Sequence, residues 1–539
     1  MKEIVTDSYD FEALVTSEDI IYVDKTAYVA RMVMSRSRFF FISRPRRFGK
    51  SLMCSTLDAL FSGKKELFSN LYIGGTDYDF KAYPVLRFDF SKLNATSYQS
   101  FLSTFRKEIR NNAKANRLDI VDDEPSSMLD DLIGGLENPV IIIDEFDSPV
   151  IDAVSEGSQE LAEKMQRDFN AFYKVIKSLT GKIRFLFITG CTKLSGLSIF
   201  SALNNLNDIS LDPDYAGMSG YTEEELVRYF SEHIGQKLSM PESPYRSKEE
   251  FLDALRNYYD GYRFSDCSEV KVYNPVSIGK YFTVRKLPFS NYWISTGGLS
   301  TLAVTLGRNA DLLSIVEERR RIAKEELTSF DISQIASAAV PDAAAAALLY
   351  YAGYLTLTGS DDYTFTLDFP NTEVRTTFLA SLMQSFTLRR ANPRPIVMEA
   401  TAAARDGDHR KIVLALNKYY RLFNYKDTEG HQEQWVKLLF KAFFGLLGIA
   451  VYTELPGGMG RIDDVMVTET HNYIFEFKVD GKSADDAMGQ ILSRHYDWLF
   501  TGNPKPLHLI GLDFRTDKRQ IVSYTHQLYG EDETTEFTL

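Results

Sequence analysis

The chain has 539 residues, 44% of them hydrophobic, and a formal net charge of −13. A single core stops growing at roughly 250–300 residues, so two to four domains are expected, and the acidic balance argues against a nucleic-acid binder coated in positive charge, though not against a local basic groove. No apolar run is long enough to span a bilayer, Met1-Lys2-Glu3-Ile4 does not open like a secretory leader, and the three cysteines, Cys54, Cys191 and Cys267, are scattered. A cytoplasmic chain in a reducing compartment, without a disulfide framework or a zinc site, is therefore expected.

The first informative segment is "FFFISRPRRFGKSLMCSTLDALF", residues 39 to 61. Phe39 to Ile42 predict a buried strand, and Leu52, Ser55, Leu57 and Leu60 follow in helical register. Between them stands Gly49-Lys50-Ser51, the end of a phosphate-binding loop whose first glycine is replaced by Arg44. An anion at such a helix start meets unpaired N–H donors and the positive end of the helix dipole. Lys50 would bridge the β and γ phosphates of a nucleotide and Ser51 would ligate Mg²⁺. The same residues also fit a basic strand-to-helix turn.

"YPVLRFDFS" (83 to 91) predicts a second strand, and a long helical region leads to "NPVIIIDEFDSPV" (138 to 150). Val140 to Ile143 read as a strand buried on both faces, as in a parallel sheet. Asp144 at its end can hold Mg²⁺ through water, and Glu145 can orient or deprotonate an attacking water. In "IRFLFITG" (183 to 190) and the residues after it, Thr189, Thr192 and Lys193 stand where a γ phosphate is sensed, or where hydroxyls cap a turn. Helical repeats from Glu223 to about Phe282 predict a lid. Its Arg263, in "YYDGYRF", could reach the γ phosphate, or the segment could simply pack. Residues 300 to 400 read as a helix-and-hairpin connector.

Near the C terminus, "GGMGRIDDVMVTETHNYIFEFKVDGKSADDAMGQI" (457 to 491) predicts two strands joined by a turn at Glu469 to Asn472, then a helix. Alternation sets Tyr473, Phe475 and Phe477 on one face and Glu476 and Lys478 on the other. Asp463 can approach Glu476 across the hairpin, giving carboxylates for Mg²⁺ or Mn²⁺, with Lys478 beside the attacked phosphate or water. A solvated Glu–Lys ion pair is the competing reading. The seven histidines show no ligand spacing and are expected to be surface or packing residues.

Seven segments in order, "YVDKTAYV", "SRPRRFGKSL", "IIIDEFDSPV", "FITGCTKLSGLSIFSALNNLNDISLDP", "YYDGYRF", "VYNPVSI" and "NYWISTGG", together resemble the AAA-ATPase-like family of gut and other anaerobic bacteria. Family members carry arginine where this loop lacks glycine. The resemblance thus implies a working loop whose backbone path departs from the glycine form, with ATP contacted by Arg46, Arg47, Phe48, Gly49, Lys50, Ser51, Asp144 and Thr189. "GRID…FEFK…AMGQI" is similar to the PD-(D/E)xK nuclease superfamily. That resemblance implies Glu433, Asp463 and Glu476 as metal ligands, Lys478 as the catalytic lysine and Gln490 on the following helix. Asp464 is an alternative to Asp463, and the tyrosine expected soon after Gln490 comes only at Tyr496.

The expected fold class is α/β: a P-loop AAA-like core at 1–215, a helical lid at 216–300, a mixed connector at 301–410 and a nuclease-like α/β domain at 411–539. The implied function is ATP binding and hydrolysis, with Glu145 catalytic, coupled to a Mg²⁺- or Mn²⁺-dependent nuclease acting on DNA or RNA. The alternative is an ATP-driven switch whose C-terminal domain binds nucleic acid or a protein without cleavage. No membrane partner is expected, and both a monomer and an oligomer fit the sequence.

Overall fold

The computed structural model describes residues 1–193, 203, 205–241, 243, 245–285, 289–293, 320–328, 342–378, 393–422, 436–437, 439–440, 443, 450–457, 460–500, 502–531 and 533–539; for 320, 342, 394, 450–457, 460–463 and 499 it describes the backbone alone. Two compact units are distinguished, Met1–Ala310 with Arg319–Val374, and Asp311–Glu318 with Arg375–Leu539.

The first unit is built on a parallel sheet. Strands β1 (Phe39–Ser43), β3 (Val140–Asp144) and β4 (Phe185–Gly190) are buried along their whole length. Such unbroken apolar runs suit strands covered by helices on both faces. With β2 (Val85–Asp89) and β5 (Asn207–Asp208) the order is β2-β3-β4-β1-β5. All of the pairs are parallel. The carboxyl ends of β1, β4 and β3 therefore lie side by side on one edge, where ligands of open α/β sheets bind.

Helices α1 (Phe11–Thr16), α2 (Thr26–Val33) and α3 (Lys50–Phe61) bury Phe11, Val29 and Leu57 in a core with Phe40 and Ile142. Helices α4 (Tyr98–Ala115), α5 (Pro125–Gly134), α6 (Ser148–Ser155) and α7 (Gln159–Ser178) follow. An aromatic cluster, in which the Phe90 and Phe169 rings stack at 5.0 Å, joins α7 to the segment after β2.

The segment expected to form a lid is helical, with helices Glu223–Tyr229, Ser231–Leu238, Lys248–Tyr259 and Pro275–Thr283 around Phe230, Phe251 and Tyr259. Helix Asp342–Tyr351 and the hairpin β7 (Thr356–Ser360) and β8 (Thr364–Asp368), extended by β6 (Arg320–Ala323), belong to the same unit. Arg263 is spent locally: its guanidinium donates to the carbonyls of Ser265 and Ser268 at 3.0 and 2.7 Å and pairs with Glu269 at 2.9 Å. The packing alternative therefore describes it.

The second unit holds helices Arg394–Arg405 and His409–Tyr420 and a six-stranded sheet. Its order is β14 (Thr535–Thr538), β13 (Gln520–Leu528), β12 (Leu507–Arg515), β11 (Asn472–Val479), β10 (Gly460–Val467), β9 (Ala450–Gly457). The β11–β12 pair is parallel and its neighbours antiparallel. Asn472, expected in the turn, is the first residue of β11, and helix Ala484–Ser493 follows as expected.

Candidate functional sites

At the end of β1 the chain turns into α3 through Gly49, whose φ of 85° only glycine adopts freely. The space around it is open, so backbone conformation rather than crowding calls for glycine. Arg47 also lies in the left-handed region, at φ 70°, whereas Arg44 does not. The backbone strain of this loop thus falls at positions 47 and 49. Arg44 contributes through its side chain: 1% exposed, it donates to the carbonyls of Ser43 and Ser210 at 2.8 and 2.7 Å and lies 4.3 Å from the centre of the Phe264 ring. Burial pulls its pKa down to about 10.

Lys50, the first residue of α3, donates to the carbonyls of Arg44 and Pro45 at 2.9 and 3.2 Å and lies 3.6 Å from the Cys191 sulfur. Burial opposes its charge, but Cys191, Glu145 and Asp144 outweigh that and raise its pKa. Ser51 follows on the first turn, half-buried. Phe48 is buried, its ring edge-on to Tyr262 at 4.7 Å and to Phe264 at 5.3 Å. Arg46 is partly exposed and interacts with Cys191, Glu145 and Asp152. Arg47, Phe48 and Gly49 border a cavity of about 100 Å³ whose other walls include Val23, Tyr221 and Val276.

The ends of β3 and β4 are stitched together. The Thr189 hydroxyl donates to Asp144 at 2.6 Å, and both residues are buried. One turn further, Thr192 donates to Asp147 at 2.6 Å through its hydroxyl and again at 2.6 Å through its N–H. Thr192 is thus occupied by a carboxylate, and Lys193 pairs with Asp208 at 2.7 Å. Glu145 stands between the two pairs with φ 52°, and burial raises its carboxyl pKa while Lys50 and Arg46 pull it back. Asp147 and Cys191 drew no functional reading from the sequence. Nothing in their spacing shows that a residue 44 positions away shares their site.

In the second unit, Lys478 and Glu476 lie two apart on β11, on one face. The Lys478 amine donates to Glu476 at 2.9 Å and to the Gln490 side-chain oxygen at 2.7 Å, and Glu476 is 1% exposed. A pair this buried is not the solvated ion pair that a Glu-x-Lys strand could equally have given. Tyr496, six residues beyond Gln490, returns to it: its hydroxyl lies 3.4 Å from the Gln490 nitrogen and accepts from Arg494 at 3.1 Å. Asp464 pairs with Phe475 across the hairpin and is buried on that residue's face, opposite to Glu476. Asp463 is described on β10 by its backbone alone, and Glu433 lies outside the described residues. Among the described residues no group of three or more His, Cys, Asp or Glu is arranged to hold a metal ion. No helix among them is long and apolar enough to cross a membrane.

Four of the seven histidines meet at the other end of this sheet. The His508 and His526 ring nitrogens are 3.0 Å apart, His409 stacks on His526 at 3.7 Å, and His471 lies 5.3 Å from His508. They come from a helix start, a turn and two strands, so no local spacing announces them.

Residues 8–200 match a family described as predicted AAA-ATPase, and residues 431–524 match the PD-(D/E)XK nuclease superfamily. A protein of Azotobacter chroococcum mcd 1, described as an uncharacterized protein in the vnfD 5' region, is similar along nearly the whole length. It is 29% identical over 541 residues, covering 96% of this chain and 98% of its own.

Proposed function

For a chain that carries a predicted AAA-ATPase domain and a PD-(D/E)XK nuclease superfamily domain, we propose that the first binds and hydrolyses Mg·ATP and thereby controls a metal-dependent phosphodiesterase in the second, acting on DNA or RNA. The observation that carries the nuclease half is the Lys478 amine held between the Glu476 carboxylate and the Gln490 amide on a buried strand end. A lysine held against a buried carboxylate suits stabilisation of an attacked phosphate better than it suits a structural pair, because burial of an ion pair gains little by itself.

The donor set fits a hard divalent cation: carboxylate oxygens of Glu476, Asp463 and Glu433 would hold Mg²⁺ or Mn²⁺. Bound there, such an ion supplies an activated water and neutralises charge on the phosphate. Asp464 is the weaker candidate, since it shares the face of Phe475.

For the ATPase half, Lys50 at the helix start, Asp144 with Thr189 and the half-buried Glu145 converge on one sheet edge. The cavity bordered by Arg47 and Gly49 supports a nucleobase beside that edge. Cytoplasmic residence accompanies this reading.

The test is cleavage of plasmid, linear duplex, single-stranded DNA and RNA, each with Mg²⁺ or Mn²⁺ and with or without ATP. Wild type should cleave at least one of them and Glu476→Ala none. Equal residual activity of the two on all four would replace this reading by the non-cleaving switch.

A further inference from the structure

Asp147 opens α6 from the N-cap position, yet its side chain makes no capping bond to its own helix. An aspartate there ordinarily accepts from the second or third N–H of the helix. This one is 1% exposed and is turned to the end of β4, accepting from the Cys191 N–H at 3.0 Å, the Thr192 N–H at 2.6 Å and the Thr192 hydroxyl at 2.6 Å. The rest of its turn is fastened to the same strand. Phe146 N–H donates to the Thr189 carbonyl at 3.0 Å, and Glu145 N–H donates to the Thr189 hydroxyl at 3.4 Å. The fit leaves no slack at Gly190, where an added Cβ would lie 2.4 Å from the Phe146 ring and 2.8 Å from an Asp147 oxygen.

Held inside this seam is Glu145 at φ 52°, a conformation disfavoured for any residue with a Cβ and one that persists only where surroundings enforce it. We infer that Asp147 is a positioning residue for ATP hydrolysis: its carboxylate locks the turn 145–147 onto the end of β4 and so holds the Glu145 carboxyl where it faces Lys50. The inference rests on the ATPase reading above and adds to it a residue buried behind the turn that carries Glu145. Its physical basis is that a carboxylate, with acceptors only, takes three converging donors, whereas a carboxamide turns an N–H towards at least one of them.

The experiment measures steady-state Mg·ATP turnover and Mg·ATP affinity by calorimetry on the full chain, for wild type, Lys50→Ala, Asp147→Asn, Thr192→Val, Glu145→Gln and the double variant Asp147→Asn with Glu145→Gln. Asp147→Asn should lower turnover at least about tenfold, the scale on which small misplacements act, while affinity shifts by less than about threefold. Thr192→Val, which removes one donor of three, should lie between it and wild type. It keeps the test open if Asp147→Asn does not fold. In the Glu145→Gln background, Asp147→Asn should add almost no further loss, because the two groups act through one carboxyl. A general loss of fold would instead multiply with any other change. Wild-type turnover in Asp147→Asn or Thr192→Val, or losses that multiply in the double variant, would overturn the inference alone. Absence of Lys50-dependent turnover in the wild type would overturn the ATPase reading and this inference together.

Discussion

Pro45 and Gly353 are packed so closely that a methyl group on Gly353 would lie 2.9 Å from the Pro45 Cβ. The same turn is held by the Tyr262 hydroxyl, which donates to the Gly353 carbonyl at 2.9 Å, and Tyr262 in turn carries the edge-on Phe48 ring. The loop between β1 and α3 is therefore backed by residues 262 and 353, far from it in sequence. Gly353→Ala should lower the melting temperature and weaken Mg·ATP binding. Gly157→Ala is the control, since Gly157 has nearly the same positive φ (80° against 85°) but nothing within 4 Å of the added carbon. Both substitutions cost about 1 kcal/mol for the left-handed backbone. Only Gly353→Ala should alter nucleotide affinity, as measured by calorimetry.

Arg44→Gly restores the missing glycine of the loop pattern and should nevertheless harm the protein. The Ser43 and Ser210 carbonyls lose a buried charged donor, at a cost of about 3 kcal/mol for the two. The expected outcome in thermal unfolding is a lower melting temperature, with no gain in Mg·ATP affinity.

Mg·ATP at about a hundred times its dissociation constant should stabilise the folded chain by roughly 2.7 kcal/mol. Lys50→Ala should remove most of that shift in a thermal melt. Glu145→Gln should retain it while turnover falls to a low, still measurable residue.

At the second site the losses should not add. Glu476→Ala and Lys478→Ala should each abolish cleavage, and the double variant should resemble either one, because groups acting as a unit lose nearly everything at the first removal. ATP turnover should be largely unaffected in all three. Ca²⁺ in place of Mg²⁺ should support nucleic-acid binding better than cleavage, which a gel-shift and a cleavage gel on the same samples separate.

The histidine cluster makes stability depend on pH. Burial pushes His508 down to about 4 and His526 to about 3, and it also lowers His409. An unfolded histidine titrates near 6.5, so below that pH these three side chains bind more protons in the unfolded chain than in the folded one. Their contribution to stability is thus fully present above about pH 6.5 and is lost as the pH drops towards 4, while the buried carboxyls of Glu373 and Asp260, raised to about 7 and about 6, act in the opposite sense. Urea midpoints at pH 7, 6 and 5 should therefore fall more steeply in the wild type than in His526→Gln.

The elements that depend on neighbours in sequence were legible from the sequence. Phe39 to Ile42 and Val140 to Ile143 read as buried strands because an apolar run covered on both faces needs no further information. Gly49-Lys50-Ser51 marked the start of α3, and alternation set Glu476 and Lys478 on one face of β11. What tertiary structure alone decided involves partners that the chain brings together from a distance. Arg44 read as a backbone question, a lost glycine, whereas its guanidinium answers carbonyls at Ser43 and Ser210, the latter 166 positions on. By sequence, Tyr496 comes later after Gln490 than the expected tyrosine. The helix ends at Ser493, however, and His495 at φ 53° turns the chain so that Tyr496 folds back. Asp147 with Thr192, and His409 with His508 and His526, follow the same logic. Periodicity records which side of an element is buried, but a hydrogen bond between distant residues leaves no period, and only the packing of the strands chooses which carboxylate meets which hydroxyl.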